Sequence, residues 1–541
     1  MKAYKNSQIA QVKSQKVKVA QSLPIPGKTM VKNEAGGYVF PVDKWTLLDR
    51  FLILGTEGGS YYSSEKELTN FNANNVLDCI AEDGKRVVDK IIEIDKAGKA
   101  IKKNQLLFAL ALCAKNGSLE TRRYANSVVD SVCNIGTDIL NYANFVNSLG
   151  GWGSGTKRSI ARWYNKPIDQ LVYHLAKYQS RNGFSHRDVL RLTHTTPKNE
   201  QYDFAYAWAT NKLTYENGKF YRTKDLTEVP HHKFIEGFER IKTALSDDEV
   251  CKLITEYNLP RECIPTEFLN SPKVWDMLLQ KMPMTATIRN LGKMSSVGIL
   301  DQRSEGEKIV IERITNRDYI KSAKIHPMTI LLALKVYEQG HGEKGSLSWN
   351  ANRKILDALN KAFYNSFEFV EPSGKSLCLG VDVSGSMGWD HGTIISPAMA
   401  AAAMAMVVAR TEKDYFIGAF SNKFVELPIS PEMSLPEVLK ITSNKTFGGT
   451  DASIPIEHAM KKKHQFDAFV IYSDGATWAG QQHVCQSLVQ YRKNMQINSK
   501  LICCNFVANG ISIVDPDDIG SLNLIGLDPS IPTTINSFIS E

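Results

Sequence analysis

The period of the hydrophobic positions changes once along this chain. From about Asn75 to Leu359, apolar residues recur every three to four positions. ANNVLDCIAEDGKRVVDKIIEIDKAG, NQLLFALALCAKN and TRRYANSVVDSVCNI show the pattern, parted by short turns holding Gly, Asn or Pro. That period is helical. Helix after helix over such a length predicts an α-solenoid of HEAT-like repeats, although no strict repeat length is present. Ahead of it, WTLLDRFLILG reads as an apolar helix stopped at Gly55. The Gly58-Gly59 turn that follows lacks the strand and GK[ST] of a phosphate loop, so it reads as a plain helix stop.

After Glu371-Pro372-Ser373-Gly374 strands and helices alternate. Strand SLCLGVDV leads to helix ISPAMAAAAMAMVVAR and strand DYFIGAF. Helices SLPEVLKIT and ASIPIEHAMKK flank the loop NKTFGGTD. Strand DAFVIYSD, helix QQHVCQSLVQYRKN and strand SKLICCNFVA follow. This alternation predicts a doubly wound α/β sheet, with ligands at the carboxyl ends of its strands. The expected protein is multidomain, α plus α/β: a basic, mobile arm over 1–22, a helical-repeat domain over 23–370 and the α/β domain over 371–541.

Composition is that of an ordinary globular protein, and 541 residues exceed one core. Charge is divided unevenly: 12 Lys and Arg stand against 17 Asp and Glu from Glu371 onward, but 53 against 40 before it. A basic first part suits a polyanion partner; a solvated, lysine-rich helical surface is the plainer account. The nine cysteines form no CxxC pair and sit among apolar residues, which predicts reduced core thiols. The N-terminus is basic without an apolar signal region, and the Ala/Met run near Ala400 is too short to span a membrane. These features predict a cytoplasmic protein without membrane association.

Two groups of residues could carry chemistry. In the first, Asp382, Ser384 and Ser386 place a carboxylate and two hydroxyls on alternate residues at the end of the opening α/β strand. Thr450 follows the Gly448-Gly449 turn, and Asp474 ends the strand VIYSD. Three loops of hard oxygen donors at one switch point predict Mg²⁺ or Mn²⁺. Asp451 is expected to cap the helix beginning at Ala452. The second group lies in residues 151–200, where nine Lys and Arg face three acids. Lys157, Arg158 and Arg162, then Arg181, Arg187 and Arg191, are interleaved with Trp163, Tyr164, Tyr178, Phe184 and His186. Guanidinium forks bind phosphate and aromatic faces stack on unpaired bases. Aromatics at helical spacing are more often core, so the unbalanced cations carry the signal. Arg289 and Lys293 in TIRNLGKM form a weaker second window, offset by nearby glutamates.

The metal loop resembles the metal-ion-dependent adhesion site of von Willebrand factor A-type domains, in which an open metal position accepts a partner's carboxylate. The joined pattern GTEGGSYY, NGFSHRDVLRLTH, MPMTATIRNLGKM and EPSGKSLCLGVDVSGSM resembles the Ro ribonucleoprotein family of TROVE-domain proteins. The resemblance implies a monomeric ring of HEAT-like repeats closed by the A-type domain. It implies Y RNA on the outer face, single-stranded 3′ ends of misfolded or structured RNAs in the hole, and an exoribonuclease associated through Y RNA. Matched by motif, His186 and Arg187 fall in the Y RNA contact region. Lys157, Arg158 and Arg162 fall in the family's basic helix, and Arg289 and Lys293 fall near the ring interior. Phe184 and Arg187 stand where an indole and a lysine are common, which keeps aromaticity and charge.

The leading expectation is therefore a noncatalytic RNA-binding protein of RNA quality control. The competing enzyme is a metal-dependent hydrolase or nuclease using Asp382. It lacks a convincing base, since His391 is a lone loop histidine and Ser384 has no GxSxG elbow. A third reading is a metal-dependent protein-interaction module.

Overall fold

The computed structural model describes residues 18–56, 65–100, 102–322, 325, 327–342, 346–366, 372–388, 396–443, 448–526 and 531–540. Gly58, Gly59, Glu371, His391 and arm residues 1–17 lie outside them. The helical part holds the helices that periodicity predicts, including Asn104–Asn116. Side chains close the open ends of several: Ser118 accepts from the Thr121 amide, Asn199 from Gln201 and Tyr202, and Ser246 from Glu249. The helix Glu65–Ala97 leaves helical geometry at Asp83 (φ −149°, ψ 83°), so two helices run nearly in line.

Successive helices pack on their neighbours around two apolar cores. One runs from Trp45 to Ile235; the other runs from Ala176 through Phe363 into the α/β domain. Strands occur in the helical part as well. Leu213–Glu216, Lys219–Arg222 and Glu228–Val229 form a small antiparallel sheet, and Ser180–Arg181 pairs with Phe184–Ser185. The latter hairpin turns through Asn182 (φ 47°) and Gly183 (φ 81°), the left-handed pair that a tight hairpin of this hand requires.

The α/β domain is a six-stranded sheet. Across it run Phe424–Glu426, Asp414–Phe420, Ser376–Asp382, Ala468–Ser473, Lys500–Asn505 and Ser521–Ile525. All pairings are parallel except the outer Phe424–Glu426. Strand order reverses beside Ser376–Asp382, so Asp382 and Asp474 meet at the switch point.

The α/β domain joins both ends of the helical array. On one side its helix Pro397–Thr411 shares a core with the helices up to Phe363, and the Arg410 guanidinium lies 3.7 Å from the Tyr364 ring centre. On the other side the N-terminal hairpin Val31–Lys32/Tyr38–Pro41 takes Ile511–Ser512 as a third strand, with Ser512 opposite Phe40. The helix Lys44–Leu54 then drives Arg50 into the joint. Its Nη1 donates to the carbonyls of Asn509 (2.7 Å) and Ile511 (2.7 Å) and to Asn509 Oδ1 (3.0 Å); Nη2 donates to Asn523 Oδ1 (3.1 Å). Asn72 Nδ2 donates to the Ala508 carbonyl and Lys28 pairs with Asp515 and Asp517.

The expectation of a free arm over 1–22 does not describe residues 18–22. The Val19 amide donates to Gln486 Oε1 and the Gln21 amide to the Gly480 carbonyl. These backbone amides tie the segment to the α/β domain.

Arg50 is fully buried, and burial lowers its affinity for the proton. Replacing it strands several buried acceptors, each worth about 1–3 kcal/mol. Arg50→Ala is therefore expected to lower stability in urea unfolding by at least about 3 kcal/mol. Limited proteolysis should then cut first near residues 23–42. A variant as stable as the parent would show that Arg50 does not hold the joint.

Candidate functional site

The three oxygen-bearing loops do converge. Strands Ser376–Asp382 and Ala468–Ser473 are adjacent, with Tyr472 opposite Val381, and Asp382, Ser384, Ser386, Thr450 and Asp474 are all buried. Their donors and acceptors are turned on one another. Asp382 Oδ1 accepts from the Ser384 amide (2.9 Å), and Oδ2 accepts from the Ser473 hydroxyl (2.7 Å). Asp474 Oδ1 accepts from the Ala476 amide (2.8 Å), and the Ser384 and Ser386 hydroxyls share a bond of 3.2 Å. The Thr450 carbonyl takes the Trp478 and Ala479 amides and the Thr477 hydroxyl.

The expectation of Mg²⁺ or Mn²⁺ is corrected here. Among the described residues no group of three or more His, Cys, Asp or Glu side chains could hold a metal. Two carboxylates make up the acidic set. Burial pushes Asp382 up to about 7, with the Asp474 charge adding to it, and burial raises Asp474 as well. A pair drawn toward the neutral form and satisfied by internal donors does not fit a divalent cation. The adhesion-site assignment goes with it, as does an acidic protein ligand bound through the metal. Asp451 lies just before its helix, which is Ile454–Lys462; its carboxylate accepts from the Ser453 amide and hydroxyl. Sequence reading passed over Ser473, the residue that anchors Asp382.

The basic window is built from three elements in contact. In helix Ser154–Trp163, Thr156, Ser159, Ile160 and Trp163 face inward, leaving Arg158 and Arg162 exposed and Lys157 half-buried. The Asn-Gly hairpin carries exposed Arg181. Helix His186–Thr193 opens with a reciprocal cap between Ser185 and Asp188 and exposes Arg187 and Arg191. Stacking of Trp152 on Phe184 (6.2 Å) and of Trp163 on His186 (5.9 Å) fixes the three together. Among the described residues no carboxylate lies within ion-pair distance of Lys157, Arg158, Arg181, Arg187 or Arg191. Arg162 instead reaches the Asn126 carbonyl and Asp130, at 3.5 Å from the latter. The neighbouring helix Leu119–Val132 adds exposed Arg122 and Arg123, which sequence reading missed because they lie outside the dense window.

The interleaved aromatics are core: Trp163 and Tyr164 are fully buried and Tyr178 is half-buried. His186, expected at a contact surface, is 2 % exposed. Its Nδ1 is hydrogen-bonded to the Tyr164 hydroxyl at 2.8 Å, its Nε2 is buried without a partner, and burial lowers its pKa to about 3. A neutral, enclosed ring positions the helix behind Arg187 and makes no surface contact itself. In the second window Arg289 is exposed at the end of Met284–Arg289, and Lys293 Nζ donates to Asn270 Oδ1 (2.7 Å).

A helical-repeat array closed by an A-type α/β domain and bearing a face of unpaired cations defines a class of polyanion-binding ring protein. Residues 31–375 match the TROVE domain and residues 376–539 the Ro60 vWA domain. The chain is 31% identical over 583 residues to RNA-binding protein RO60 of Caenorhabditis elegans, covering 94% of this chain and 90% of that protein. It is 34% identical over 516 residues to RNA-binding protein RO60 of Deinococcus radiodurans, covering 94% and 95%. The crystal structure of the Deinococcus radiodurans RO (RSR) protein superposes with a TM-score of 0.68 at 31% identity, over 92% of this chain and 99% of that one. The chain belongs to the Ro60 family of TROVE-domain proteins.

Three outcomes follow from this geometry. With Asp382 raised in the fold, stability is fullest below its unfolded value near 4 and falls as pH rises toward 7. Asp382→Asn should flatten that slope in thermal melts taken between about pH 4 and pH 7. Added Mg²⁺ or EDTA should leave the parent's melting temperature unchanged; a rise with Mg²⁺ would restore the metal. His186→Ala should cost about 3 kcal/mol through a cavity and an orphaned Tyr164 hydroxyl. Parent-like urea stability would return the ring to the surface.

Proposed function

We propose that this chain is a noncatalytic RNA-binding protein of noncoding-RNA quality control. Its outer basic face would hold a structured small RNA of the Y RNA kind, and the Arg289/Lys293 region would receive single-stranded 3′ ends. The observation carrying this reading is the set of five cations, Lys157, Arg158, Arg181, Arg187 and Arg191, on three packed elements and without carboxylate partners among the described residues. Cations left unneutralised by the protein are available to phosphate, and releasing the phosphates' counterions favours binding. Rigid placement on helices and a tight hairpin suits recognition by shape, the mode open to a protein facing A-form RNA. The curated relatives named RNA-binding proteins span the same length and support the reading.

The hydrolase or nuclease alternative is dropped. Asp382 and Asp474 are buried, raised and hydrogen-bonded within the fold, so they present no base to a substrate. We assign residues 23–370 to the RNA-binding domain and 371–541 to the A-type domain, and take the ring to be a monomer. An exoribonuclease would associate through the bound RNA. All nine cysteines are buried free thiols, which supports a cytoplasmic setting. Among the described residues no helix is long and apolar enough to cross a membrane.

Lys157→Ala/Arg158→Ala/Arg162→Ala should weaken binding of a labelled stem-loop RNA with a 3′ tail. The slope of log K against log salt should also shrink by about 1 to 2, since each lost phosphate contact removes roughly 0.7–0.9 and Arg162 is already engaged by Asp130. Fluorescence anisotropy between about 50 and 300 mM salt reads both quantities. Unchanged affinity and slope would remove this face from RNA binding.

A further inference from the structure

The A-type domain is acidic overall, yet one edge of it is not. Helix Ile454–Lys462 ends in Lys461 and Lys462, and Lys463 follows in left-handed geometry at φ 57°. All three are exposed, as is Lys423 at the turn into the edge strand Phe424–Glu426. Among the described residues none of these four has an ion-pair partner. Cations favour a helix C-terminus, which accounts for Lys461 and Lys462. It does not account for Lys423, which belongs to another segment, or for Lys18, which comes from the far end of the chain.

Two of these lysines, Lys18 and Lys461, line a groove. A cleft of about 580 Å³ lies between Lys18 and the helix, lined in part by Lys461, Gln482, Phe424 and His458 together with the carboxylate of Glu457. The Phe424 and His458 rings are half-buried, with centroids 4.9 Å apart, and Phe416 stacks beneath His458 at 5.9 Å. The cleft therefore joins two aromatic rings, tilted 52° to each other, to lining cations Lys18 and Lys461. Burial and the neighbouring lysines lower the His458 pKa, which keeps that ring neutral and suited to stacking.

We propose that this edge is a second nucleic-acid contact that holds a short run of unpaired RNA nucleotides. Lys461, with Lys462 and Lys463 next to it in the chain, takes phosphates while the Phe424 and His458 rings, tilted to each other, each offer a face to a base. The combination of phosphate cations with base-stacking rings is the one single-strand binders use. An acidic peptide would use the lysines but leave the ring wall without a role. The site lies on the α/β domain, whereas the face formed by residues 154–193 belongs to the helical part. The inference rests on the reading of the chain as RNA-binding, and it extends that surface onto the ring's closing domain.

The test uses the full chain and a labelled single-stranded oligouridine of about 12 nucleotides carrying 4-thiouridine, with the stem-loop RNA in parallel. Ultraviolet crosslinks should map to peptides containing Phe424 or His458. Lys461→Glu/Lys462→Glu/Lys463→Glu should cut those crosslinks at least about fivefold and reduce the salt slope for the oligomer by about 2, leaving the stem-loop on residues 154–193. His458→Gln should lose crosslinking while keeping the salt slope, which separates stacking from charge. Crosslinks confined to residues 154–193, with an unchanged slope in the lysine variant, would overturn this site and leave the RNA reading standing. Loss of oligomer binding by both variants together with unfolding in circular dichroism would also overturn it, because exposed lysines would then be structural. If the parent bound neither RNA, both readings would fall.

Discussion

The structure depends on one joint, the contact between the chain's first helices and the far edge of its last domain. Residues separated by more than 450 positions meet there, and the cost of bringing them together is loop-closure entropy. Arg50 shows how that cost is met. A guanidinium taken out of water needs partners for its donors, and here two carbonyls and two side-chain amides accept from Nη1 and Nη2 without a carboxylate, while Nε is buried without a partner. The hairpin that adds Ile511–Ser512 as a third strand supplies the directional part. Since both ends of the helical array are tied to one rigid sheet, the helices between them have a fixed curvature. The positions of the surface cations are thereby fixed as well.

That constraint explains how aromatic and basic residues divide within 151–200. Trp163, Tyr164 and His186 fill the space where three short elements meet, and their rings contact one another. The cations are what remains outside. His186 illustrates the division: the same enclosure that removes it from the surface lowers its pKa, so it cannot add charge to the face it supports. Lys177 shows the opposite case, a cation held inward between Tyr173 and Tyr178 and so unavailable to a partner. A count of charged residues therefore overstates the binding surface, and burial decides which of them can act.

Much of the fold was legible because its signals are local. The strand Ser376–Asp382, the helix Asn104–Asn116 and the stop at Gly55 follow from hydrophobic period and turn chemistry alone. What escaped reading depends on distant partners. Val31–Lys32 and Tyr38–Pro41 are too short to show a period and are strands because Ile511 and Ser512 lie beside them. The edge strands Phe424–Glu426 and Ser521–Ile525 are stabilised by neighbours in the sheet in the same way. At the oxygen-rich loops the topology was readable and the chemistry was not. Spacing brings Asp382, Thr450 and Asp474 together, but no spacing says that Ser473 and backbone amides already occupy their oxygens.

The helix Pro397–Thr411 shows what the closing domain is built to do. Every residue from Ala400 to Ala409 is buried, so the helix has no wet face along that stretch. A helix apolar all round must be enclosed on all sides. This one lies between the central strands and the last helices of the array, in a core that includes Leu377, Leu379, Ile330 and Phe363. Alanines keep its girth small, which lets sheet and array approach closely, and Met404 and Met406 fill what the alanines leave. The Ala/Met run is thus the hydrophobic half of the ring's closure, with Arg50 and the N-terminal hairpin as its polar half. An apolar contact resists separation without specifying direction, whereas hydrogen bonds specify direction at little net gain. A closed ring needs both, one at each end of the array, and in this chain a single domain provides them.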